Sequence, residues 1–157
     1  MKKLFSKHFQ QMVQETLQDN YKIEQPLSEQ EFIEFQKKAK SVLKVELPDE
    51  YCDFLRVMDG FIGYGCMLFG TQQRIGVNDG WIYGVIEFNT EIFLQYPNLI
   101  VLGCSGDDYM AYDSQASIYK FKNLDSTANN LNAEFTTFSD LIDDIFIPLL
   151  EEYDDED

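Results

Sequence analysis

The apolar residues of this chain change their spacing twice, and the change limits the fold more than any other feature of the sequence. Up to Met58 they recur every three or four positions, the period of a helix face. From Phe61 to Phe121 they fall into short runs bounded by Gly, Asn and Asp, as in strands joined by tight turns. After Ser139 the helical period returns. Helices gathered at both ends of a block of strands predict an α+β fold, a mostly antiparallel sheet packed against helices. At 157 residues, 45% of them apolar and 15% aromatic, the chain has material for one well-filled core.

Phe5, Phe9, Met12, Val13 and Leu17 place a first helix at about 4–19. Ser28-Glu29-Gln30-Glu31 has the S-x-x-E form of a capping box. It opens a second helix at 29–43 whose inner face is Phe32, Phe35, Ala39, Val42 and Leu43. A third helix starts at Pro48 with Tyr51, Phe54, Leu55 and Met58 on one stripe, and Asp59-Gly60 is expected to close it. Phe61 to Phe69 reads as a single strand, and Asn78-Asp79-Gly80 as a turn before Trp81-Ile82-Tyr83. Asn89-Thr90 is expected to cap a short helix that stops before Pro97. Leu99–Leu102, Tyr109–Tyr112 and Ile118–Phe121 form an antiparallel meander, followed by an Asn-rich loop at 123–132. Ser139 is the expected cap of a last helix, which Pro148 kinks or ends early. The resulting organisation is one domain over 1–150 and an acidic tail over 151–157.

Charge narrows the partners. Twelve basic and 28 acidic residues give −16. Residues 1–56 are nearly neutral, whereas residues 57–157 hold 18 acids against Arg74, Lys120 and Lys122. Such a field repels phosphate backbones and anionic lipid and speeds the approach of a basic protein. The expected partner is therefore a basic protein, with neither nucleic acid nor membrane, unless the acidity serves only solubility. No run approaches a membrane span, and the N-terminus lacks the apolar stretch of a signal peptide, which points to a cytoplasmic chain.

Candidate chemistry is sparse. His8 is the single histidine, and Cys52, Cys66 and Cys104 are too widely spaced for a disulfide framework or a zinc site; they read as core thiols. Gly63-Tyr64-Gly65 and Gly103-Cys104-Ser105-Gly106 lack phosphate-loop spacing. Asp107, Asp108 and Asp113 are the acids most tempting as a metal-dependent hydrolytic centre, although a strand-to-strand turn explains the first two more simply. Tyr64, Asp79, Trp81 and Tyr83 combine aromatics with acids, as a surface for a basic partner would, or else Trp81 is core. No cofactor is expected.

Three blocks resemble one superfamily. Leu47-Pro48-Asp49-Glu50-Tyr51-Cys52-Asp53-Phe54-Leu55-Arg56-Val57-Met58-Asp59-Gly60 looks like its opening hallmark. Leu99-Ile100-Val101-Leu102-Gly103 with Asp108-Tyr109-Met110-Ala111-Tyr112-Asp113 looks like its central hairpin. Phe135-Thr136-Thr137-Phe138-Ser139-Asp140-Leu141-Ile142 resembles its closing block. The superfamily is SUKH, which includes yeast cell-wall synthesis regulators and bacterial immunity proteins. The resemblance implies helices on a mostly antiparallel sheet, no enzymatic activity, and, in bacteria, neutralisation of a secreted toxin, often a nuclease. It supplies no partner-contact residues; the candidate surface (Tyr64, Asp79, Trp81, Tyr83, Asp107, Asp108, Asp113) comes from the residues themselves. The segment before Leu47, with its additional helix, departs from the pattern. The alternative functional expectation is a regulatory or scaffold binding module of the same fold.

Overall fold

The computed structural model describes residues 9–11, 14–15, 22–92, 98–122 and 133–154. Within 4–19, residues 9–11 and 14–15 are helical. The rest of that stretch, His8, the 123–132 loop and residues 93–97 lie outside the described residues.

Ser28 opens helix α1 (Glu29–Leu43) with the expected reciprocal capping box: its hydroxyl accepts from Glu31 N–H, and Glu31 reaches back to Ser28 N–H. Phe32, Phe35 and Ala39 are its buried face, whereas Val42 is exposed. Lys44, in the left-handed conformation, closes it. Helix α2 (Asp49–Leu55) follows, with Pro48 as its cap position and Tyr51, Cys52, Phe54 and Leu55 buried.

Helix α2 ends earlier than its apolar stripe suggests. Met58 N–H still bonds back to Phe54 O, but Asp59 is drawn inward by other partners. Its N–H donates to Glu24 O and its carboxylate receives two hydrogen bonds from Thr71. Gly60, at φ +99°, then turns the chain into β1 rather than terminating the helix.

Nor is Phe61–Phe69 one strand. It is a hairpin of β1 (Phe61–Gly63) and β2 (Cys66–Leu68), with Gly63 paired to Cys66 across Tyr64 and Gly65. Both turn residues have positive φ, 56° and 76°, as a type I′ turn requires. Beyond it lie β3 (Arg74–Ile75) and β4 (Trp81–Ile82), which form their own two-stranded ribbon. Then come β5 (Leu99–Ser105), β6 (Asp108–Asp113), β7 (Ile118–Lys122) and β8 (Ala133–Phe135). The main sheet is six-stranded and antiparallel, in the order β1-β2-β5-β6-β7-β8, so the expected meander is its centre. The chain is an α+β domain.

The helix at Val85–Glu87 (α3) begins four residues before Asn89 and continues as a wider π turn through Ile92. Asn89 is therefore not its cap. Its side chain instead satisfies Val101 N–H and C=O where a bulge interrupts the β5–β6 register. The last helix, α4 (Phe138–Asp154), is capped by Thr137, whose hydroxyl accepts from Asp140 N–H, and not by Ser139. The Glu50 carboxylate, from α2, accepts from Phe138 and Ser139 N–H and so covers two more free donors. Pro148 lies inside α4, which runs on to Asp154, so 151–154 of the expected tail is helical; 155–157 lies outside the described residues.

One face of the sheet carries Phe61, Leu68, Met110 and Tyr119 into the helices. Phe9, Phe61 and Phe146 meet edge to face, and Phe138 touches Tyr51, Phe54 and Tyr119. On the opposite face Met67, Cys104 and Tyr109 are paired across β2, β5 and β6, and Phe88 of the α3 turn packs on Tyr109. No helix among the described residues is long and apolar enough to cross a membrane.

Candidate binding surface

Arg74 and Ile75 are the whole of β3, and they face opposite ways. Arg74 pairs with buried Ile82 and turns inward; Ile75 pairs with Trp81 and turns outward. The inward side is an ionic anchor. The Arg74 guanidinium donates to Glu24 Oε1 at 2.9 Å, to Asp59 O at 2.7 Å and to Gln72 O at 3.0 Å, and lies 3.7 Å from Asp59 Oδ2. Glu24 and Asp59 are 7% and 3% exposed, so the charges are buried together and each carboxylate has further donors. Asp59 takes Thr71 N–H and O–H; Glu24 Oε2 takes Val77 N–H at 2.7 Å.

The loop that joins β3 to β4 is held just as firmly. Gly76 N–H bonds to Gly80 O, and Asp79 N–H to Gly76 O, with Asp79 at φ 66°. The Asn78 side chain forms two bonds with the backbone of Lys22. At the base, Gly70 donates to Tyr83 O and accepts from Val85 N–H. A Cβ on Gly70 would lie 2.7 Å from Asp59 O, so only glycine allows this approach.

The outward side is apolar and open. Ile75 is 67% and Trp81 46% exposed, and Val77 and Ile62 are exposed beside them. Ile62 Cδ1 lies against Gly80, which joins the hairpin tip to edge strand β1. Trp81 is thus a surface residue and not core. Tyr83 is half-buried: its ring meets Trp81 at 6.3 Å, Phe69 at 5.9 Å and Phe88 at 5.3 Å, so it ties the exposed indole to the core.

The seven residues singled out in the sequence do not form one site. Asp79, Trp81 and Tyr83 share the hairpin. Tyr64, whose hydroxyl donates to Glu15, lies in the β1–β2 turn; the Cys66–Ser105 pairing puts that turn at the same sheet end as Asp107 and Asp108. Asp113 is at the other end of β6, about 17 Å from Asp108 by strand rise. There it accepts from Gln115 and Ala116 N–H and pairs with Lys120 at 3.3 Å. The Ala116 hydrogen bond leads the effects that hold its carboxyl below the ordinary range. Asp107, Asp108 and Asp113 therefore cannot converge on one ion. Among the described residues no cluster of three or more His, Cys, Asp and Glu is arranged to hold a metal.

The cysteines are poor nucleophiles as placed. Burial pushes the thiols of Cys52, Cys66 and Cys104 above their ordinary range, which keeps them protonated near neutral pH. Cys52 lies at a cleft of about 300 Å³ between α1 and α2, whose Lys40 and Glu46 are paired at 3.1 Å.

Sequence reasoning missed the anchor and most of the apolar face. Arg74 carried the usable signal: one of three cations among 18 acids, directly preceding an isoleucine, it is a candidate for an inward ion pair. Ile62, Ile75 and Val77 carried none, because an isoleucine in a strand is ordinarily core. Compared with protein-family models, curated proteins and solved structures, the chain finds no match.

Proposed function

We propose that this chain is a cytoplasmic, SUKH-like, non-enzymatic immunity-type protein that binds a basic toxin stoichiometrically and blocks its substrate from entering. The observation that carries this reading is where the positive charge goes. Of the cations within 57–157, Arg74 is turned onto Glu24 and Asp59, and Lys120 lies between Asp113 and Glu134. These cations are occupied inside the chain, so the acidic excess acts outward on whatever approaches. A cationic nuclease grips phosphate through the same kind of charge that this surface would engage. The acidic face would occupy that grip, and long-range attraction would speed capture.

Co-expression with the product of the adjacent gene tests the proposal. If that product is toxic alone and growth returns when this chain is present, with the two proteins purifying as one complex, the reading stands. A pull-down that recovers only housekeeping proteins, with no toxic neighbour, would replace it with the regulatory or scaffold role.

A further inference from the structure

The β3–β4 hairpin combines two properties: a buried ionic support and an apolar outer side in water. Exposed isoleucine and tryptophan on a loose loop would gain little on binding, because ordering them would offset much of the contact energy. Here that ordering is already present. Arg74, Glu24, Asp59 and Thr71 hold the base, and Asn78 holds the tip. Tyr83, itself packed on Phe88, meets the indole edge to face from the core side.

We propose that Ile75, Val77 and Trp81, with Ile62 beside them, are the apolar anchor of the complex. The occupant is a basic protein that offers a large apolar side chain flanked by lysine or arginine. The proposal rests on the basic-partner reading above and adds where the partner docks. Charge selects this occupant over the others. A second copy of the chain would bring −16 against −16, and anionic lipid would be repelled by the same field. Asp79 is exposed at the hairpin tip, and the Asp107–Asp108 turn is about 14 Å across the strands from Gly63. The apolar anchor therefore has one carboxylate at its tip, with the Asp107–Asp108 pair farther along the same sheet end, to meet a cationic rim.

Trp81 is the only tryptophan, so its emission reports on this face alone. The test pans a random peptide library displayed on phage against the whole folded chain, then titrates the enriched peptides while following Trp81 fluorescence. We expect enriched peptides to combine lysine or arginine with a large apolar side chain and to shift the emission to the blue. Ile75→Ser and, separately, Val77→Ser should weaken them about tenfold or more, with thermal midpoints close to wild type. Basic peptides that leave the emission unmoved would overturn the anchor while sparing the basic-partner reading. Uncharged apolar peptides that do shift it would overturn the basic occupant. No enrichment would overturn the docking proposal. If sedimentation shows a dimer that Ile75→Ser disperses, the occupant is a second copy and the proposal is wrong.

Discussion

Removing the Arg74 guanidinium would leave Glu24 and Asp59 buried without their cation. Arg74→Met should therefore cost about 3–5 kcal/mol, read as a fall in the urea midpoint, even though the new side chain is apolar. Leu55→Ala, at a fully buried position of α2, should cost about 2–5 kcal/mol in the same assay. Two phenols set a limit at alkaline pH. Burial raises both Tyr51 and Tyr119, and Tyr51 O–H donates to Phe69 O. A phenol whose folded pKa exceeds its unfolded value binds its proton more tightly when folded. Its contribution is complete below about pH 10 and is lost as pH rises through that value toward the folded pKa. Melting midpoints should hold through neutral pH and fall above about pH 10, less steeply in Tyr119→Phe. Leu55 was legible in the sequence because a helical stripe is a local pattern. The partners of Arg74 were not: Glu24 and Asp59 are far from it along the chain, and no spacing rule connects them.

Caps and turns explain which elements could be read in advance. The α1 capping box is contained in four consecutive residues, so the sequence displays it in full. The cap of α4 is not of that kind. Thr137 and Ser139 are both reasonable N-caps, and Glu50, from another helix, decides between them by covering Phe138 and Ser139 N–H. Thr137→Ala should cost about 0.5–2 kcal/mol in thermal unfolding and Ser139→Ala little; the reverse order would restore the sequence assignment. The β1–β2 hairpin was hidden for a similar reason. Tyrosine favours strands, so Tyr64 in a left-handed turn position reads as strand until Gly65 is recognised as its partner. Gly65 has open space around an added Cβ, so Gly65→Ala should lose only the backbone penalty of its φ, about 1–2 kcal/mol. The meander of β5, β6 and β7 was legible because each strand is a run of apolar residues bounded by turn residues. Asn89, whose role is to close the β5 bulge, could not be assigned without knowing which strand lay beside it.

Across the whole molecule the charge is long-ranged and the apolar contact is short-ranged, so salt separates them. Association with a basic partner should slow and weaken as ionic strength rises from low to several hundred millimolar, whereas dissociation should change little. Stopped-flow mixing at several salt concentrations measures both rates; salt-independent association would remove the acidic field from the mechanism. The α+β class was legible at this scale from the change of period alone. The proposed binding face was not, because it depends on a ribbon that belongs to no sheet but its own. That ribbon leaves and rejoins the body at Gly70 and Gly84, which bridge in parallel while the intervening chain makes its excursion. A loop closed at its own neck is a cassette: its tip can be rewritten at Ile75, Val77 or Asp79 while the six strands behind it keep their register, so a change of partner need not entail a change of fold.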